Sequence, residues 1–353
     1  MASRNMLAVQ LTEWGSEPTA REVPVPTPTG TELLIAVGAA GLCRSDLHVM
    51  DTAPGKFAYS LPMTLGHEVA GTVVEAGPDA DHARIGDSVV VHGIWGCGAC
   101  RNCLRGRENY CLCLGVDANG RRLPLGNGLG HDGGLAQAML VPHARHLVNT
   151  GDLDPVRSAP LADAGLTAYH AISEHRALLD HNSVCAVVGV GGLGHMAVQI
   201  LRTMGVGQIV AVDTHDDALS LARSLGAHSA ATTLSAGLGG NLADVVFDFV
   251  GSQRTLEDGL SALAPGGRLV AVGSAGGQLA VSKDLGLATG WSVSAPFWGS
   301  AGDLAAVVDL AQRRELEVTS TTFDLIDAVE VYRELRHGHI SGRAVVIPPP
   351  LEL

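Results

Sequence analysis

The chain has 353 residues, 46% of them apolar, with a mean hydropathy of +0.22, which is enough for two domains that each bury a core. Its 23 basic residues against 36 acidic ones give a formal net charge of −13 with no Lys/Arg run, which argues against nucleic acid or an anionic membrane surface as partner. The 45 glycines follow no collagen-like period, and no internal repeat stands out.

The opening stretch MASRNMLAVQLTEWGSE has no basic segment followed by a long apolar one, so no secretory signal is read and a reducing, cytoplasmic setting is expected. From about Met6 to Asn149, short apolar runs such as ELLIAVGAAG, GHEVAGTVVEAG and RIGDSVVVHG alternate with Pro, Gly and Asp, the texture of a β-rich domain. Two fragments within it matter. GLCRSDLHV carries Cys43, Arg44, Ser45, Asp46 and His48, and LGHEVAG carries His67 and Glu68. Taken singly, Cys43 reads as a small buried apolar residue and His67 as a core histidine.

Next, WGCGACRNCLRGRENYC places Cys97, Cys100, Cys103 and Cys111 in a C-x2-C-x2-C-x7-C pattern. Disulfides do not persist in a reducing compartment, and a bacterial ferredoxin run needs its fourth Cys three residues after the third and before Pro. Zinc is the favoured occupant, ahead of unliganded or disulfide-bonded cysteines and of an iron–sulfur centre. Four thiolates close the coordination sphere, so the lobe holds a loop in shape and leaves no open position for substrate.

Near Asp152 the spacing turns helical in PLADAGLTAYHAISEH, where Asp163 by itself reads as a helix N-cap. Ser183 to Leu201, SVCAVVGVGGLGHMAVQIL, carries no charge and mimics a membrane span, but its clustered glycines favour a buried strand, turn and helix. SVCAVVG, QIVAVD, DVVFDFVG and GRLVAVG read as buried parallel strands, and Leu193, Ala197, Ile200, Leu201 and Met204 as one helix face. That alternation predicts a doubly wound sheet.

Gly189 to Gly194, GVGGLG, follows a strand and opens a helix, and Asp213 ends the next strand. Gly189 allows the tight turn, Gly191 lets backbone approach a pyrophosphate, Gly192 and Leu193 complete the turn, and Gly194 brings helix against strand. Asp213 would accept the adenosine ribose hydroxyls. The following THDD offers no cation for a 2′-phosphate, so NAD is preferred over NADP. After Trp298, GDLAAVVDLAQRREL reads as a helix and GRAVVIPPP as a strand stopped by prolines.

Together these motifs resemble the zinc-containing medium-chain alcohol dehydrogenases over essentially the whole chain, and PLADAGLTAYHAI with PFWG is most similar to the bacterial NAD-dependent secondary-alcohol branch. The resemblance implies an α/β protein: a GroES-like β-rich catalytic domain over 1–155 and 299–353, with a zinc lobe at about 95–113, and a Rossmann NAD-binding domain over 156–298. It implies a catalytic zinc on Cys43, His67 and Asp163, the last standing where many members have Cys. One thiolate and one carboxylate balance Zn²⁺ as two thiolates do. Glu68 is expected beside the metal, with an excursion to it left open, and Asp46 on the other nitrogen of His67.

By the same resemblance, zinc polarises an alcohol oxygen, hydride passes to nicotinamide, and Ser45 and His48 relay the proton to solvent while Arg44 meets the pyrophosphate. Tyr59, Trp95, Phe297 and Trp298 are candidate walls of the substrate pocket. Two zinc ions per chain, NAD, a small alcohol or ketone and a homodimer or homotetramer complete the expectation. The competing readings are a primary-alcohol or aldehyde enzyme, a zinc-free enone or quinone reductase needing none of Cys43, His67 or Asp163, and a non-enzymatic NAD-binding protein with zinc only in the lobe.

Overall fold

A computed structural model describes residues 4–80, 85–280, 282 and 286–352. The chain divides into two compact units, one of Met1–Asp163, Ser300–Arg314 and Val318–Leu353, the other of Ala164–Gly299 and Glu315–Glu317.

The first unit is built on a seven-stranded sheet whose centre is the strand Leu33–Leu42, paired antiparallel with Glu68–Ala76, Ala138–Val141 and Arg343–Ile347. A three-stranded sheet of Thr19–Pro24, Asn5–Leu11 and Met63–Thr64 accompanies it. Small residues let these layers close: Ala39, Ala70, Ala159 and Val345 form one buried cluster, and Met6, Ala8, Leu34, Ala136 and Ala138 another. Of the stretch RIGDSVVVHG, the strand is Ser88–Val91, and Arg84 lies outside the described residues.

Register decides where chemistry gathers. Gly41 faces Glu68 and Leu42 faces Ala344, so Cys43, His67, Glu68 and Arg343 all come to one end of three adjacent strands. A Cβ at Gly41 would lie 2.0 Å from Glu68 Oε2, so only glycine leaves room for that carboxylate. Gly66, at φ +94°, turns the chain into His67 where a Cβ would meet Leu135 at 2.8 Å.

In the second unit six parallel strands run in the order Ser229–Ala231, Gln208–Val212, Val184–Val188, Ala243–Asp248, Leu263–Ala271, Ser292–Ser294. In chain order this is 3-2-1-4-5-6, the Rossmann arrangement, with its switch point beside the first strand. The four strands read from sequence are present. Continuous Val, Ile and Ala runs suit them because both faces are covered; Val188, Val212, Val246 and Leu269 pack with Leu256 and Leu260 of the helix Gln253–Ser261.

Helix ends differ from the periodicity reading in three places. The helix after the glycine turn spans Gly194–Thr203, with Leu193 and Met204 as its caps. The helix after Trp298 spans Ala301–Gln312, since Arg314 at φ +59° turns the chain out of it before Leu316. PLADAGLTAYHAISEH is a 3-10 turn, Ala159–Ala162, and a helix, Ala164–Ser173, interrupted at Asp163 with φ −131° and ψ −61°. Among the described residues no helix is long and apolar enough to cross a membrane.

Candidate functional site

Four buried side chains, Cys43, His67, Glu68 and Asp163, bring ligand atoms within 4.8 Å of one another. Cys43 Sγ is 3.3 Å from Asp163 Oδ2, and His67 Nε2 is 3.5 Å from the same oxygen. A tetrahedral zinc with its usual bond lengths has ligand-to-ligand edges of about 3.3–3.8 Å, so these separations fit such an ion. The interruption at Asp163 is what turns its carboxylate to Cys43 instead of continuing a helix.

Asp46 holds His67 from behind, with Nδ1 2.9 Å from Oδ1. The Asp46 carboxylate accepts, so Nδ1 carries a proton and Nε2, on the side of Cys43 and Asp163, is the nitrogen a metal would take in exchange for a proton. Burial lowers the His67 pKa, yet Asp46, Asp163 and Cys43 reverse this and hold it well above its usual value. The potential at the site thus favours a positive charge, which suits a metal cation.

Arg343 was not anticipated from the sequence. It forms a two-pronged ion pair with Glu68, Nε to Oε2 at 2.8 Å and Nη2 to Oε1, and its Nη2 is 3.4 Å from Asp163 Oδ2. Burial raises the Glu68 carboxyl above the usual carboxylate range and Arg343 opposes it. With Glu68 matched by Arg343, the Cys43 thiolate and Asp163 carboxylate remain to balance a dication. Tyr332, also unanticipated, donates its hydroxyl to Asp46 Oδ2 at 2.8 Å. Only an arginine opening an apolar strand, in GRAVVIPPP, hinted at the first; nothing local marks the second.

Ser45 Oγ lies 3.6 Å from Cys43 Sγ, while Arg44 and His48 stand exposed on the same short helix, Arg44–Met50. Of the aromatic candidates, Tyr59 is buried and stacked on Phe57 at 4.5 Å, and Trp95 is half-buried 5.0 Å from the His131 ring, both in the first unit. Phe297 and Trp298 belong to the second, their rings 6.2 Å apart, with Trp298 buried at φ +54°.

None of the seven cysteines is in a disulfide. Cys97, Cys100, Cys103 and Cys111 converge, with Sγ separations of 3.9 Å for Cys97–Cys103, 3.5 Å for Cys100–Cys103 and 3.9 Å for Cys100–Cys111. Backbone N–H groups of Ala99 and Cys100 point at Cys97 Sγ and lower its thiol to about 6, whereas burial pushes Cys103 up to about 12. A bound dication is what allows four such neighbours to be thiolates together.

In the second unit Gly189 has φ +85°, and a Cβ at Gly194 would sit 1.9 Å from Gly189 O. Nothing lies within 4 Å of where a Cβ would project from Gly191, so a phosphate has room against the backbone at the start of the helix Gly194–Thr203. Asp213 accepts from Val190 N at 2.8 Å through one oxygen and from His215 N at 3.0 Å through the other. Its carboxylate therefore ties the second strand's end to the glycine turn, and the site fits a dinucleotide.

Residues 29–152 match the alcohol dehydrogenase GroES-like domain and residues 192–313 the zinc-binding dehydrogenase domain. An NAD-dependent alcohol dehydrogenase of Sulfurisphaera tokodaii is 32% identical over 97% of this chain and all of its own. The chain belongs to the zinc-binding alcohol dehydrogenase family. This zinc-binding dehydrogenase is an oxidoreductase with a GroES-like and a Rossmann-like part. D-arabinose 1-dehydrogenase (NADP(+)) of Saccharolobus solfataricus is 33% identical, covering 94% of this chain and 95% of its own. The crystal structure of the alcohol dehydrogenase of Aeropyrum pernix matches with a TM-score of 0.88 at 31% identity, over 97% of this chain and 100% of that one.

Proposed function

We propose that this dehydrogenase interconverts secondary alcohols and ketones with NAD, using a catalytic zinc held by Cys43, His67 and Asp163. The observation that carries the reading is the buried meeting of one thiol, one imidazole and one carboxylate at the end of the central strands, with Asp46 fixing the imidazole tautomer. When bound, the zinc supplies a Lewis acid that makes an alcohol more acidic, and NAD supplies the hydride acceptor.

The chain's own groups do the remainder. Ser45 Oγ, beside Cys43 Sγ, takes the substrate hydroxyl proton, and the exposed imidazole of His48 releases it to water. Arg44 is the partner for the pyrophosphate, and Gly189, Gly191, Gly192, Leu193 and Gly194 present it with backbone N–H groups. Asp213 takes the adenosine ribose and disfavours a 2′-phosphate, so NAD is preferred although one relative is named for NADP. Glu68, neutralised by Arg343, stays beside the metal. Tyr59, Trp95, Phe297 and Trp298 remain the aromatic candidates for contact with the substrate. The structural zinc is held by Cys97, Cys100, Cys103 and Cys111, and the catalytic domain comprises 1–155 and 299–353 with the NAD-binding domain between. Two or four copies assemble through an edge strand of the six-stranded sheet.

Initial rates of NAD reduction with 2-butanol and 1-butanol at equal concentration test this. Faster turnover of 2-butanol is expected. A faster primary alcohol contradicts the secondary-alcohol assignment, and no rate with either contradicts the zinc–NAD chemistry.

A further inference from the structure

The Asp46 carboxylate is wholly buried and receives three donors. Cys43 N–H reaches Oδ2 at 3.0 Å, His67 Nδ1 reaches Oδ1 at 2.9 Å, and the Tyr332 hydroxyl reaches Oδ2 at 2.8 Å. The first two come from the strands and turn that build the site. The third arrives from 286 positions along the chain, on the helix Ala328–His337, which packs against the helix carrying Asp46.

Burial and then the Asp46 charge hold the Tyr332 hydroxyl well above its ordinary pKa, so it stays protonated and acts as a donor. A buried tyrosine needs some partner for its hydroxyl. That need alone does not select the one carboxylate that holds a metal-facing histidine.

We propose that Tyr332 is a positioning residue for the catalytic zinc, acting through Asp46 on His67. With Tyr332 in place Oδ2 accepts a second hydrogen bond beside that of Cys43 N–H, which holds the Asp46 plane more firmly and with it the His67 ring, whose Nε2 faces Cys43 and Asp163. Tyr332 also withdraws negative charge from Asp46, which limits how far that carboxylate pulls the Nδ1 proton and so tunes the electron density His67 offers a metal. Without the hydroxyl, Oδ2 keeps only the Cys43 N–H, and the carboxylate gains freedom to rotate in a site closed to water. The inference rests on reading Cys43, His67 and Asp163 as a zinc site.

Tyr332→Phe keeps the ring and its packing and removes the donor alone. Losing a partner that orients a metal-bound histidine costs about 10–100-fold in metal affinity, and one layer further out about 3- to 10-fold is expected. Zinc release to a chromogenic chelator should therefore quicken by about 3- to 10-fold from the catalytic site in Tyr332→Phe, with release from the four-cysteine lobe unchanged as the internal control. Cobalt placed in the catalytic site should show a shifted visible band. In an Asp46→Ala background, adding Tyr332→Phe should change neither readout, because the route is gone.

Wild-type protein that binds zinc only in the lobe would overturn the zinc-site reading itself. Wild-type protein with both metals, and a Tyr332→Phe variant with the same release rate and cobalt band, would overturn the role of Tyr332 alone. Equal acceleration at both metals would reduce Tyr332 to general packing, and an additive effect on Asp46→Ala would overturn the route through Asp46.

Discussion

His146 shows how much a single buried side chain sets the conditions the first unit tolerates. Burial, and then the charge of Arg145 and the neighbouring His92 and His143, lower its pKa to about 3. The unfolded chain, with an ordinary histidine near 6.5, binds the proton first as pH falls, so the stabilisation is present above about pH 6.5 and is lost progressively toward pH 3. Between pH 7 and pH 5 this linkage removes about 2 kcal/mol. In denaturant titrations, His146→Gln should lose less stability over that interval than wild type by an amount of this order; parallel losses would show that His146 titrates normally in the fold. At the same scale, Cys43, His67 and Glu68 were legible because each sits in a short motif with chemically marked neighbours. Arg343 and Tyr332 were not, because they reach the site across 275 and 286 positions, and only strand register and helix packing place them. A hydrogen bond of that range leaves no local pattern in the sequence.

The glycine turn and its helix are the element on which the proposed NAD site rests. A methyl at position 194 would meet Gly189 O at 1.9 Å and Val187 Cγ1 at 3.5 Å, and the first of these is backbone that cannot swing aside. Gly194→Ala should push the helix off the strand Val184–Val188 and weaken NADH binding at least about tenfold by fluorescence titration, since the N–H groups no longer converge on a phosphate, with overpacking costing about 1–3 kcal/mol of stability. Zinc content should stay unchanged, and an unaltered NADH affinity would refute the role of the turn. The strands of this unit were readable because buried parallel strands are continuous β-branched runs. Helix ends were less so. Leu193 and Met204 keep the apolar period yet act as caps, and Asp163 breaks a helical pattern because its carboxylate is turned to Cys43. Periodicity records which face is apolar, and it is blind to where a side chain is needed elsewhere.

Across the whole molecule, the first unit gathers the two side-chain clusters that could hold a metal ion and the second carries the glycine turn. The doubly wound arrangement followed from the alternation of strand and helix, since right-handed crossovers leave few ways to wind such a sheet, whereas the edge strands Ser229–Ala231 and Ser292–Ser294 are too short to show an apolar run and were not read. The strand Arg343–Ile347 pairs with Leu33–Leu42 and so delivers Arg343 to Glu68, a long-range pairing that no local pattern in the sequence announces. The proposed mechanism stands on one zinc held by Cys43, His67 and Asp163 apart from a zinc in the cysteine lobe. Its most direct test is the zinc content per chain of the wild type and of a Cys43→Ala/Asp163→Ala double variant, each measured beside NADH affinity. Two zinc ions are expected in the wild type and one in the variant, with NADH bound equally well by both. One zinc in the wild type, or two still held by the variant, would contradict it.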